Sequence, residues 1–466
     1  MNIKFRPDPW LLIALPAWVY LIVRAALLDL TYDECWTFLG YAQAPIWDVL
    51  VNTHPAANNH VLHSLLMKAS AFLFGTSPFA LRIPVLLGFM AFALAVHQLL
   101  LGLPRVWRLF LMVALIYQPY VLDYFVAARG YGIALPGLLW SMVFLVRYAQ
   151  RSDVKHLWMG GFASFLMAWA NFTYLLPFVV WWLLALGFSW KHRKVKPFAA
   201  AALGFAGLAV LVYVPAILPL IEAKELYYGA ASLNETISSI GARFIYTLNE
   251  ASWKGLLFAV LLGLSPLAWK LWDKQHYRFA AIGAALILGS LVLNVLQHVI
   301  MDAPYLIDRT GIFLIPLGLL ALAGVGYWLP KKRSSVLAYF LLGAAILNAA
   351  MAMNFTHLID FKDYADVSKA MEWVGEHVET REGEQAKIGK STYLNAPINY
   401  YKQELELVQV AHSGLEYCDA EALYRVYYLF ARDLACVQGK PVDTVAYYPV
   451  SDTYLFVQKE EGPTGR

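Results

Sequence analysis

Asp33 and Glu34 are adjacent carboxylates in the stretch DLTYDECWTF, just past the first apolar segment, in a loop covering 29–60. A carboxylate held beside a membrane surface can take a proton from an attacking hydroxyl, which is general-base chemistry. Solvation is the commoner fate of an arbitrary Asp-Glu pair, but long, compact loops next to a membrane are typical places for function. Further along, THPAANNHVLHSLL packs His54, Asn58, Asn59, His60 and His63 into ten residues, and His60 and His63 have the spacing to share a helix face. Three histidines near two carboxylates can hold a divalent metal, zinc or manganese. Their spacing matches no defined ligand motif, and the same atoms serve equally to bond lipid phosphate, backbone or a substrate hydroxyl.

Bases are scarce among the acid-rich loops, and each is therefore informative: Lys68, Arg82, Arg129, Lys224, Arg243, Lys254 and Arg309. Arg129 lies in DYFVAARGYG and Arg309 in APYLIDRTGIFLIPL, each at the start of an apolar segment. A charge near hydrocarbon is costly unless it is paired or faces a polar cavity. Two readings follow. One is a local pair, Asp123 with Arg129 and Asp302 or Asp308 with Arg309; the other is guanidinium groups, joined by Lys68, holding an anionic phosphate. Arg24, inside the first apolar segment, either snorkels or faces the same cavity.

The elements that must position these groups are membrane helices. The chain has 466 residues, 60% hydrophobic and 15% charged, with a mean hydropathy of +0.54. Soluble globular proteins sit near roughly 45–50% apolar and about 25% charged. A soluble enzyme, a disordered chain and a nucleic-acid-binding domain are excluded. Eleven spans are expected at 10–28, 81–102, 109–122, 130–147, 157–170, 174–189, 198–221, 254–271, 279–298, 310–328 and 335–353. The two around Asn171 are short and require tilt or shielding. Lys4 and Arg6 precede the first span without a small-residue cleavage site, so it reads as a span and not as a cleaved signal.

The formal charge of +4 divides unevenly. Residues 354–466 carry 18 acids and 11 bases, a balance of −7, and 1–353 carry 14 acids and 25 bases, a balance of +11. Alternate loops hold the bases, Arg105/Arg108, Arg147/Arg151/Lys155, Lys191–Lys196, Lys270–Arg278 and Lys331–Arg333, which puts those loops and the N-terminus in the cytoplasm. Asp33, Glu34, Asp48, Asp123, Glu250, Asp308 and the C-terminal part then lie outside, provided that 61–75 is an interfacial helix and not a crossing. The expected organisation is a polytopic all-α membrane domain over 1–353 and a small outside α/β domain over 354–466. In the latter, helices are expected at Asp363–Val378 and Asp419–Leu434, and strands at 386–392, 405–410, 443–449 and 453–458. Cys35, Cys418 and Cys436 form no framework or metal spacing; an oxidising location favours a Cys418–Cys436 disulfide.

Four motifs in this order, YDE (Tyr32–Glu34), FG…RIP (Phe74–Pro84), ARGY (Ala128–Tyr131) and RTGIFLIP (Arg309–Pro316), resemble the GT-C membrane glycosyltransferases. Within them the chain is most similar to the family of protein mannosyltransferases, lipid A aminoarabinose transferases and the bacterial galacturonosyltransferase-like branch. The resemblance implies a multi-pass inner-membrane enzyme with its C-terminal domain in the periplasm or outside the cell. It would move one sugar from a polyprenyl-phosphate donor to a lipid, glycan or protein acceptor at the outer face, with inversion. It also implies Asp33 as base, Glu34 as supporting acid, and no required cofactor beyond a conceivable divalent metal. Where relatives have an arginine and a tyrosine after the acidic pair, this chain has Cys35, Trp36 and Thr37. Where they have a lysine before paired prolines, it has Ala57-Asn58-Asn59-His60. Arg129, Arg309 or Lys68 would then have to hold the phosphate. A polysaccharide polymerase or ligase using a lipid diphosphate-linked glycan is the alternative enzyme. A lipid-glycan transporter is the non-enzymatic one, against which stand the lack of an internal repeat and of charges clustered at mid-membrane.

Overall fold

The computed structural model describes residues 12–245, 251–381, 384–415, 418 and 422–459; at 251–253, 256, 265 and 269 it describes backbone alone. Lys4, Arg6, Glu250 and the start of the first expected span lie outside the described residues. Each of the eleven expected segments contains helix among the described residues, and 109–122 is broken after Ile116. Seven helices among the described residues are long and apolar enough to cross a membrane: Pro78–Leu100, Tyr131–Arg151, Phe172–Lys191, Val195–Glu222, Arg278–Met301, Asp308–Trp328 and Lys331–Ala352. Ala14–Leu27 and Tyr32–Ala42 together qualify as an eighth, bent by 74° at Leu28–Thr31. The other segments are shorter. Arg105–Ile116 stops after 12 residues, before Pro119 opens a separate turn, and Val154–Ala170 has 17 residues, about 26 Å of helix against a hydrocarbon layer of about 30 Å. The protein is thus a multi-pass membrane protein.

The chain divides into two compact units. The first comprises Met1–Ile22, Pro45–Leu66 and Ile83–Met353. Here Tyr131–Arg151 packs along Val154–Ala170, Arg278–Met301 along Asp308–Trp328, and Lys331–Ala352 along Arg105–Ile116. Asp308–Trp328 is the most buried of the seven, with 83% of its apolar window buried, whereas Val195–Glu222 and Lys331–Ala352 bury only 22% and 17%. Those two present Leu203, Leu211 and Phe340 outward, the expected surface for helices that meet lipid rather than water.

The second unit comprises Val23–Ala44, Met67–Arg82 and Asn354–Arg466. Its four-stranded sheet has the order β1-β2-β4-β3, with β1 Ile388–Lys390, β2 Val426–Phe430, β3 Val442–Tyr448 and β4 Thr453–Gln458. β1 and β2 are parallel, and the other pairs antiparallel. Helices Val367–His377 and Asn395–Glu404 flank β1 in sequence. Two expectations are corrected. The helix expected over Asp419–Leu434 is replaced by the fully buried strand β2 and a 3-10 turn, because Val426-Tyr427-Tyr428 is β-branched and aromatic and fits a pleated core; residues 419–421 lie outside the described ones. The strand expected at 405–410 is instead the cap of the Asn395–Glu404 helix at Leu405 followed by turns, pairing only at Val410. Cys418 and Cys436 are disulfide-bonded, packed with Tyr427, Leu429 and Phe456.

Within this unit the first loop is bonded to the C-terminal part. The Tyr401 hydroxyl accepts from Leu30 N and donates to Asp29 Oδ1, both at 3.0 Å. Ser368 N, in the first turn of Val367–His377, donates to Asp29 Oδ2 at 2.9 Å. Burial nonetheless lifts the Asp29 carboxyl above its usual range. Tyr400 Oη donates to Thr76 O at 2.7 Å, and Thr76 Oγ1 to Glu404 Oε2 at 2.8 Å. Arg24, 1% exposed, donates to His357 O at 2.6 Å.

Candidate active site

The turn bearing the two carboxylates is a six-residue helix, Tyr32–Thr37, opened by Thr31. Thr31 Oγ1 accepts from Glu34 N at 3.3 Å while Glu34 Oε2 accepts from Thr31 N at 2.9 Å, the reciprocal arrangement of a capping box. Glu34 is fully buried and is also forked by Arg82, Nε to Oε1 at 2.9 Å and Nη2 to Oε2 at 3.0 Å. The same guanidinium donates to the carbonyls of Ala25, Leu28 and Asp29, which close the preceding helix. Glu34 is therefore committed to holding the turn. Asp33 sits beside it, half-buried, with Thr37 Oγ1 donating to its backbone oxygen at 2.8 Å. Tyr364 is close enough for the Asp33 charge to reinforce burial in pushing its phenol well above the usual range.

In the first unit, Arg129 is 3% exposed and its Nη2 donates to His60 Nε2 at 3.0 Å. A guanidinium only donates, so Nε2 of His60 carries the lone pair and the ring is neutral with its proton on Nδ1. Burial first, then the charges of Arg129, His63 and Arg309, hold the His60 imidazole well below its ordinary range. His63 is fully buried, pushed down to about 3 by burial and Arg129. Neither of its ring nitrogens has a hydrogen-bond partner among the described residues. Gly130 is required here: a Cβ would collide with the Ala170 carbonyl and the His60 side chain. The ring of His60 meets Tyr131 edge-on, with centroids 5.3 Å apart.

The remaining candidates are placed differently. Lys68 Nζ donates to the carbonyls of Ala42 and Ala44, at 2.9 and 2.7 Å, closing the π-helix Phe38–Ala42. Asn59 braces its own loop: its Nδ2 donates to Val49 O and Asn52 Oδ1, and its Oδ1 accepts from Ser64. His54 is exposed. Arg309 lies over the Tyr228 ring at 4.7 Å, and Asp308, a candidate partner for it, pairs with Arg243 at 2.8 Å. Among the described residues, no group of three or more His, Cys, Asp or Glu side chains converges as a metal site. Arg82 stands in the RIP motif and among the scarce bases but had no role assigned to it there, and Tyr364 and Tyr401 are residues that motif reasoning missed. The signal for Arg82 is a charge in the first turn of a span, which demands a partner.

No family model and no curated protein matches the chain. Among solved structures, ArnT from Cupriavidus metallidurans in the apo state is similar with a TM-score of 0.54 at 12% identity, over 96% of this chain and 97% of that one. The same protein bound to undecaprenyl phosphate gives 0.53 at 12%, over 98% and 99%. The arabinosyltransferase EmbB from Mycobacterium smegmatis gives 0.38 at 13%, over 76% of this chain and 42% of that one. At this identity the likeness to ArnT is one of fold alone, matched along nearly the whole length of both chains.

Proposed function

We propose that the chain is a glycosyltransferase that moves one sugar from a polyprenyl-phosphate donor to an acceptor hydroxyl at the outer face of the inner membrane. The observation that carries this reading is the end-to-end fold likeness to ArnT, which binds undecaprenyl phosphate. In this reading Asp33 is the base. It accepts the hydroxyl proton as the acceptor oxygen bonds to the anomeric carbon and the bond from that carbon to the phosphate oxygen breaks on the opposite side, inverting the centre. The polyprenyl phosphate departs with the bonding electrons. It needs no general acid, only cations and donors to meet its growing charge.

Arg129, with His60 and His63 beside it and Arg309 within electrostatic reach of His60, is the proposed holder of that phosphate. Two guanidiniums suit a group whose negative charge rises on release. Glu34 acts through position rather than as a second acid, and Lys68 and Asn59 serve their own loops. The Cys418–Cys436 disulfide supports an oxidising, extracytoplasmic location for the C-terminal part. Purified chain in lipid nanodiscs is expected to bind undecaprenyl phosphate and to bind it more weakly on Arg129→Ala; absence of binding by the wild type would overturn the donor assignment.

A further inference from the structure

We infer that Tyr32, Trp36 and Tyr393 form an aromatic platform for the pyranose ring of a sugar beside Asp33, an inference that rests on reading Asp33 as the base of glycosyl transfer. Tyr32 and Trp36 are one turn apart on the helix Tyr32–Thr37, their rings stacked with centroids 6.1 Å apart and planes at 22°. Tyr393 closes the set from the C-terminal part of the same unit, meeting Tyr32 at 5.4 Å and 86°.

Tyr393 is the informative member. It occupies the turn between β1 and the helix Asn395–Glu404 with φ of 47°, in the left-handed region that a bulky side chain rarely enters. Its side chain is 56% exposed, so little burial offsets that conformation. The turn is anchored: Ser391 N donates to Tyr428 O at 3.3 Å, and Ser391 Oγ accepts from Phe430 N at 2.9 Å. Glycine is the residue that fits such a position without strain. Strained residues persist where a function fixes them, and here the strain presents an aromatic ring against Tyr32, the residue before the proposed base.

The chemistry of the platform selects its occupant. Aromatic faces receive the C–H face of a pyranose. The three rings carry two phenols and an indole N–H, which suit ring hydroxyls. A lipid tail would use the faces alone.

The test uses the full chain in lipid nanodiscs, since alkyl maltoside detergents themselves offer pyranoses. Saturation-transfer NMR with methyl β-D-glucopyranoside should show transfer to the ring C–H protons, absent for the open-chain control sorbitol. Transfer should fall about fivefold in both Trp36→Leu and Tyr393→Gly. The melting temperature of Tyr393→Gly should rise, because glycine relieves the turn, a direction that a purely structural tyrosine would reverse. Undecaprenyl-phosphate glucose added as competitor abolishes the signal if the donor's sugar occupies the platform, and spares it if the acceptor's does. Equal transfer to glycoside and sorbitol, unchanged transfer in the variants, or a lower melting temperature for Tyr393→Gly overturns the platform. If the wild type binds undecaprenyl phosphate but gives no glycoside signal, the platform falls and the glycosyl-transfer reading stands. If it gives the signal without binding undecaprenyl phosphate, the platform stands and the donor assignment falls.

Discussion

Arg82 and Glu34, 48 residues apart, are joined by two hydrogen bonds of 2.9 and 3.0 Å with neither side chain exposed. Because Arg82 also binds the carbonyls of Ala25, Leu28 and Asp29, one guanidinium fixes both the end of the first helix and the turn that carries Asp33. Removing one partner of a buried pair costs about 3–5 kcal/mol, because the other charge is left uncompensated. Arg82→Ala should lower the melting temperature sharply. Arg82→Lys should recover part of the loss, since lysine keeps the charge without the fork. Equal melting of wild type and Arg82→Ala in nanodiscs would contradict this role.

Asp33→Asn preserves size and removes the basic oxygen. Sugar transfer in membranes supplied with a polyprenyl-phosphate sugar should fall by roughly 10²–10⁴-fold, while the melting temperature stays at the wild-type value. Full transfer by this variant would remove Asp33 from the mechanism.

Arg129 and Lys68 are expected to separate cleanly. Arg129→Ala should weaken undecaprenyl phosphate binding by about 10–100-fold, the range for a lost hydrogen bond to a charged group. Lys68→Ala should leave that affinity alone and lower the melting temperature, since its ammonium serves the Ala42 and Ala44 carbonyls. Native mass spectrometry of both variants checks the contrast.

Acid should destabilise the protein through its buried imidazoles. His60 and His63 titrate below their ordinary 6.5 in the folded chain, His63 at about 3. Between these values the unfolded chain binds more protons, so stability falls as pH drops from 6.5 toward 3 and is flat above. His63→Phe should reduce that slope in melts recorded across pH 4–7, a range chosen to lie roughly inside the window. An unchanged slope would count against His63 as a titrating group.

Helix existence was legible because apolar runs without acids have few alternatives in a membrane. Span counts were less so, since Arg105–Ile116 and Val154–Ala170 are helical yet short. Asp33 was visible as half of an acidic pair, but the division of labour within that pair was not: Glu34 owes its role to Arg82 and Thr31, and only the first of these is distant. Lys68 and Asn59 looked like ligand groups by type, and their partners are backbone and loop atoms that no side-chain pattern encodes. β2 was mistaken for helix because its aromatic run also satisfies a helical period, and pairing with β1 and β4 decides between them.

The bonds from Ser368 and Tyr401 to Asp29 span 339 and 372 residues of chain. At translation speeds of about 5–20 residues per second, the loop containing Asp33 leaves the ribosome tens of seconds before Ser368 and Tyr401 exist to hold Asp29. Its final shape is therefore a late event in biogenesis, and a nascent chain stalled after Met353 would already sit in the membrane with that loop unfinished.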